Sequence, residues 1–245
     1  MQTRCPSMRI LIFDTETTGL PPRGVKTLTM ANANAFPYIV QFSYIIYNTG
    51  TNQVEKIQDS IIKIPDSVTM SQDSINIHGI TKEMCNTKGV DILPLLNQFE
   101  EDVQRCNLVI GHNMEFDMKM IYAELYRRVM ACSDVACSGI ESKENEKIYW
   151  SMYKRFLGYS KKFDCSMKRG KKLCNLKTVT MNGREFIKYP TLSELHNKLF
   201  GYVPANLHNS LNDCLVCFRC YYKLKYSDDI CEKNILIRNR IHALG

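Results

Sequence analysis

Four apolar residues, Ile10-Leu11-Ile12-Phe13, run straight into Asp14, and Glu16 follows two positions later, before Thr17-Thr18-Gly19 turns the chain. An unbroken apolar run ended by a turn signal reads as a buried central strand. Alternation along a strand sends Asp14 and Glu16 to the same side and Thr15 to the other. Two carboxylates side by side at such a strand end repel each other and are costly to desolvate. The pair becomes tolerable if divalent cations sit between the acids, and hard oxygen donors suit Mg²⁺ or Mn²⁺. A solvated strand end with two hydrated acids is the competing reading, and the pair alone does not decide between them.

The 245 residues fit one large domain, 1–245, with an insertion expected around 129–188. The longest apolar run, Tyr38 to Tyr47, is broken by Gln41 and Ser43 and is too short to span a bilayer. Met8 to Phe13 is too short for the apolar part of a signal peptide. Eleven cysteines, an odd number without such a signal, point to free thiols in a reducing intracellular compartment, cytoplasm or nucleus.

Charge is unevenly spread. From Lys154 to Lys188 there are eleven Lys and Arg against only Asp164 and Glu185, so this stretch carries +9 of a chain whose net charge is +7. A concentrated basic stretch on a near-neutral body implies a polyanion partner. A solvated lysine-rich surface is the plainer alternative. A membrane surface fits less well, because the stretch lacks a sustained amphipathic helical pattern.

Along the chain, Leu20 to Phe36 reads as a loop overhanging the first strand. Tyr38 to Tyr47 and Gln53 to Ile64 read as two further strands completing an antiparallel meander. Helical text follows, with Thr81 capping a short helix before Gly89 and a longer one from Asp91 to Cys106. Leu108-Val109-Ile110 is another buried strand, leading through Gly111 to a helix from Asn113 to Arg128. Val129 to Tyr149 is polar, with a helix expected around Ile148 to Leu157. Lys177 to Lys188 reads as a hairpin about Asn182-Gly183. Thr191 and Glu194 form a capping box, with Gly201 ending that helix. A strong helix spans Asn209 to Lys225, and the tail from Ser227 to Leu244 fits one more.

Two later stretches also place acids beside buried elements. Asp117 lies one turn into the helix after Gly111, and Asp213 lies in the first turn of the late helix, with His208 in the loop before it. An exposed helix acid and an N-terminal dipole partner are the respective structural alternatives.

Taken together, Asp14-Thr-Glu16-Thr-Thr-Gly-Leu, then Val-Ile-Gly-His-Asn113-Met-Glu-Phe-Asp117, then His208-Asn-Ser-Leu-Asn-Asp213, resemble the DEDDh exonucleases in order and spacing. This is the family of the proofreading subunit of bacterial DNA polymerase III. His78-Gly79-Ile80-Thr81 is similar to a further family element, and Phe163-Asp164 to the strand before its variable region. The resemblance implies an α/β, ribonuclease-H-like fold with a mixed five-stranded sheet flanked by helices. It also implies 3′→5′ hydrolysis of nucleic acid from a free 3′ end, releasing nucleoside 5′-monophosphates with two Mg²⁺ ions, for which Mn²⁺ can substitute. By matching position, Asp14 bridges both ions, Glu16 and Asp213 complete one site, Asp117 supports the other, and His208 is the general base. Asn209 stands where the tyrosine-using branch has Tyr. The opening motif lacks the Asp-Leu-Glu-Met form of the oligoribonuclease branch, which favours DNA over RNA.

The resemblance further implies substrate contacts at Thr15, Thr18 and Leu20, an apolar wedge at Ile80, and a place at the site for Asn113. Lys168, Arg169, Lys171 and Lys172 are expected to hold the strand upstream. Cys214, Cys217 and Cys220 fall at three-residue spacing in a helix, which spreads them round it, so they do not read as a zinc site. Cys132, Cys137, Cys165 and Cys174 are a conceivable set without a spacing that demands one. A non-catalytic nucleic-acid-binding module on the same fold is the reading from a different class.

Overall fold

The computed structural model describes residues 7–133 and 140–245. The opening run forms β1 (Arg9–Thr17) at the centre of a five-stranded sheet. It pairs antiparallel with β2 (Ile39–Asn48), which pairs antiparallel with β3 (Gln53–Ile61). On its other side β1 runs parallel to β4 (Leu108–Gly111), and β4 parallel to β5 (Phe163–Cys165), giving the order β3-β2-β1-β4-β5. This is the mixed five-stranded α/β architecture that the sequence implied.

A central strand covered on both faces explains why β1 is apolar from Ile10 through Phe13. Leu11 and Phe13 face one layer, built from α3 (Ile92–Arg105), α4 (Met114–Ser133) and α5 (Ile140–Gly158). Ile10 and Ile12 face the other, built from α7 (Leu192–Phe200), α8 (Ser210–Tyr226), α9 (Ile230–Lys233) and α10 (Ile235–His242). Between β3 and α3 lie two short capped helices, α1 (Gln72–His78) and α2 (Lys82–Lys88). After β5 come α6 (Ser166–Cys174) and a separate hairpin of β6 (Lys177–Val179) and β7 (Glu185–Ile187).

Several boundaries differ from the sequence expectation, each for a tertiary reason. The third strand stops at Ile61, where Ile62, still donating its N–H to the Val40 carbonyl of β2 at 2.9 Å, also bridges Val90. The helix expected to end at Arg128 runs on to Ser133, where Tyr126 packs on Trp150 and Tyr153 of α5. The stretch 129–188 is therefore not a plain insertion, since it supplies the end of α4, all of α5 and the edge strand β5 of the main sheet; 134–139, with Cys137, lies outside the described residues. The tail makes two short helices instead of one. Asn234 separates them, its side chain accepting from Ile237 N–H at 3.0 Å while donating to the Asn52 carbonyl at 2.8 Å. The overhanging loop contains a 3₁₀ turn at Met30–Ala35, and α1 had no counterpart in the sequence reading.

The nine described cysteines are free thiols, and none of them joins a cluster able to hold a metal among the described residues. No described helix is long and apolar enough to cross a membrane.

Phe99 of α3 is the hub beneath the active strand, with ring centroids 5.1 Å from Phe13, 5.0 Å from Phe42, 5.3 Å from Tyr44 and 5.8 Å from Phe156. Phe99→Ala is expected to cost about 3–5 kcal/mol. For a domain of this size that lowers the melting temperature by roughly 10 °C. A thermal melt within a degree or two of the wild type would contradict the packing described here.

Candidate active site

The alternation of β1 decides which layer each site residue belongs to. Asp14 and Glu16 continue the Ile10-Ile12 face, toward α8, while Thr15 continues the Leu11-Phe13 face, toward α4. Asp213 stands in the first turn of α8, and Asp117 in the first turn of α4. The four acids thus come from one strand and two opposite helical layers, and they meet round the C-terminal end of β1.

Oxygen atoms of Glu16 and Asp213 and a ring nitrogen of His208 lie within 4.8 Å of one another, close enough to share a cation. Asp14 and Asp117 stand outside that group but within electrostatic reach. Burial lifts the Asp14 carboxyl well above the usual carboxylate range, and the charges of Asp117, Asp213 and Glu16 add to the shift. Burial pushes Glu16 up to about 8, with Asp213 and Asp117 reinforcing it. Asp117 and Asp213 are each pushed up to about 7, again chiefly by burial. Thr15 opposes that rise at Asp117 by donating its hydroxyl to Oδ1 at 2.7 Å.

His208 holds a left-handed backbone conformation, φ +69°, uncommon for a residue with a Cβ. That turn points its N–H at the Asp213 carboxylate, 3.2 Å from Oδ1 and 3.3 Å from Oδ2, and leaves the imidazole exposed at the rim. Asn209 caps α8 by accepting from Asn212 N–H.

The expected substrate contacts divide sharply. Thr15 is buried and bonded to Asp117, so its side chain supports an acid and does not face a ligand. Thr18 is also buried, accepting from Tyr38 N–H at 3.0 Å, and so pins the turn. Ile80 is 3% exposed and packs with Val40, Ile64 and Cys85, which corrects the expectation of a wedge against bases. Leu20, in contrast, is 84% exposed beside a groove of about 550 Å³ that reaches Tyr38, Val68 and Met70. Asn113 is exposed in a left-handed turn, φ +66°, just before α4. Lys168 pairs with Glu115, Arg169 with Asp164, and Lys171 stacks over the Tyr189 ring at 4.3 Å, while Lys172 is exposed.

Residues that sequence reasoning missed stand directly behind the acids. Ser43 is opposite Asp14 and Gln41 opposite Glu16 in the β1–β2 register. Both donate to Asp59 Oδ1, at 2.7 and 2.8 Å, and Gln41 Oε1 accepts from Ser210 N–H at 3.2 Å. The Ser43 and Ser210 hydroxyls are 2.5 Å apart. These contacts lash the start of α8 to β2. The signal was present as two polar interruptions of an otherwise apolar strand. His78, named within the His78-Gly79-Ile80-Thr81 element, was given no role of its own. Its Nδ1 accepts from Ile80 N–H at 3.0 Å, so the proton sits on Nε2 and is donated to the Thr17 carbonyl at 3.2 Å.

The comparisons with known proteins agree with this geometry. The RNase T type exonuclease family model matches residues 11–163. The chain belongs to this exonuclease family. The match takes in Asp14, Glu16 and Asp117 and ends before His208 and Asp213. No curated protein sequence matches the chain. Among solved structures, exonuclease I of E. coli in complex with a dT13 oligonucleotide is 15% identical over 88% of this chain and 41% of that one, with a TM-score of 0.56. Exonuclease I of Methylocaldum szegediense is 16% identical over 95% and 43%, TM-score 0.54. An apo exonuclease I structure is 15% identical over 97% and 47%, TM-score 0.57. These likenesses establish the exonuclease fold, and the chain spans less than half the length of those proteins.

The raised carboxyl groups set a pH dependence. Each holds its proton to a higher pH folded than unfolded, so raising the pH draws protons from the unfolded state first and favours unfolding. In EDTA the stability contributed by these acids is expected to be complete below about pH 4 and lost by about pH 8. Asp14→Asn, which removes one buried charge, should raise the melting temperature at pH 8 by several degrees, at about 2–4 °C per kcal/mol. Equal melting temperatures for the two proteins at pH 8 in EDTA would show that the acids are not in repulsive contact.

Proposed function

We propose that this exonuclease-family protein is a divalent-metal-dependent 3′→5′ exonuclease that hydrolyses phosphodiester bonds of nucleic acid, with DNA favoured, and releases nucleoside 5′-monophosphates. One observation carries the reading. Four carboxylates converge at the end of β1, and no Lys or Arg among the described residues pairs with them. A phosphodiester is itself an anion, so such a cluster repels its substrate unless cations intervene. Four hard carboxylates fit Mg²⁺ or Mn²⁺. Two such ions supply a clamp on the attacking and leaving oxygens of an in-line displacement.

Within this reading the chain's own groups have distinct tasks. Asp14, Glu16, Asp117 and Asp213 hold the cations. Thr15 favours the ionised form of Asp117 and orients it. His208, exposed beside Asp213, takes the proton of the attacking water at its imidazole. Leu20 lies along the groove where the terminal nucleotide would rest, and Asn113 stands at the mouth of α4. Lys168, Arg169, Lys171 and Lys172 on α6 carry positive charge toward the upstream strand. The dT13 and dA16 complexes of exonuclease I support DNA as substrate. RNA is the second reading within the enzyme class, since no contact described here selects the sugar.

Digestion of a 5′-labelled single strand with Mg²⁺ is expected to give a ladder shortening from the 3′ end, silenced by EDTA and by Asp14→Asn. His208→Ala should lower the rate about 10²–10⁴-fold. Cutting of a circular single strand would replace the exonuclease reading with an endonuclease. Binding without metal-dependent hydrolysis would leave a non-catalytic module.

A further inference from the structure

We propose that the arm formed by α6 and the β6/β7 hairpin is a single-strand-selective binding surface for the nucleic acid upstream of the 3′ end; this rests on the exonuclease reading above. β1, β4 and β5 are parallel, so their C-terminal ends share one rim, and α6 leaves β5 on that rim. The root of the hairpin is closed by Lys188 N–H donating to the Leu176 carbonyl. Two residues on, the Pro190 carbonyl accepts from His112 Nε2 at 3.1 Å. His112 precedes Asn113 and lies five residues before Asp117, so the arm is fastened beside the acids.

The hairpin is built to be covered by something. It is a two-stranded ribbon separate from the main sheet, a form that is marginal alone. Lys177 opposite Ile187 and Val179 opposite Glu185 share one face, and Thr178 opposite Phe186 the other. Neither face is buried: Val179, Met181, Phe186 and Tyr189 are all exposed. An exposed apolar group of this kind marks an interaction site.

Charge identifies the occupant. Lys171, Lys172, Lys177 and Arg184 lie on or beside the arm, and none has a carboxylate partner among the described residues, while Glu185 is the hairpin's single acid. The Lys171 ammonium sits over the half-exposed Tyr189 ring. Cations interleaved with open aromatic rings suit a strand whose phosphates and base faces are both accessible. A duplex hides its base faces, which makes the surface selective. A second copy of this chain fits poorly, because four unpaired cations would be brought against their own equivalents.

The test uses the full chain carrying Asp14→Asn, so that substrate survives, and fluorescein-labelled oligo-dT about twenty nucleotides long. Phe186→Ala and Tyr189→Ala should each weaken binding about 5- to 150-fold, the cost of one lost base stack. Lys177→Gln and Arg184→Gln together should flatten the log–log salt slope by about 1.4, at roughly 0.7 for each phosphate contact on a single strand. In the otherwise wild-type enzyme, both sets should raise KM on the long strand and leave hydrolysis of a trinucleotide unchanged. Unchanged binding and salt slope, with the parent chain binding normally, would overturn the proposal. So would equal losses on the trinucleotide and the long strand, or a parent dimer that Phe186→Ala converts to monomer. If the parent neither binds nor hydrolyses any strand, the exonuclease reading fails first and the arm proposal with it.

Discussion

Everything at the candidate site depends on the two-residue period of one strand. β1 is buried on both faces, so each side chain it carries is committed to one helical layer or the other. Asp14 and Glu16 fall on the α8 side, Thr15 on the α4 side. A register slip of one residue would send the acids into the aromatic cluster round Phe99 and Thr15 toward α8. The pairing with β2 prevents this, since it aligns Leu11, Phe13, Phe42 and Tyr44 on the Phe99 face. The aromatic core is thus what fixes the direction of the carboxylates.

The two helix-borne acids are held by different means. Asp117 is 2% exposed and is held by a short bond from the Thr15 hydroxyl together with the backbone N–H groups of Thr15 and of Asp117 itself. Asp213 is reached through the backbone: α8 is fastened to β2 by Ser210, Ser43 and Gln41, and His208 N–H closes on the carboxylate from the loop. Left-handed strain at His208 is therefore offset by a charge-assisted bond to a group on which the site depends. One conformational choice serves two residues, since the turn that aims the N–H at Asp213 also leaves the imidazole open to solvent.

Most of this architecture was legible in the sequence because local and tertiary demands agreed. Thr191 with Glu194, Thr81 and Asn209 each cap the helix they were expected to begin, and Asn182-Gly183 does turn a hairpin. The five grouped side chains were found because three motifs in fixed order left little else for them to be. What stayed hidden depended on partners far along the chain. Thr15, Thr18 and Ile80 follow the acids or sit in a family element, yet Thr15 is bonded to Asp117, Thr18 to Tyr38, and Ile80 is packed with Val40, Ile64 and Cys85. The polar stretch after Val129 read as an insertion because the packing of Tyr126 against Trp150 and Tyr153 joins two helices that sequence periodicity treats separately.

Charge segregation gives the molecule its polarity. Basic residues near the site are neutralised by acids outside it: Lys168 by Glu115, Arg169 by Asp164, Lys188 by Glu194. The four acids have no Lys or Arg partner among the described residues, and their mutual repulsion is strengthened by burial. The cations left without a carboxylate partner among the described residues, Lys171, Lys172, Lys177 and Arg184, lie on or beside α6, and the four acids lie at the end of β1, two strands from β5. Under the proposed exonuclease reading, a polyanion would be drawn to the first and repelled by the second, so its end would enter only with cations between it and the acids.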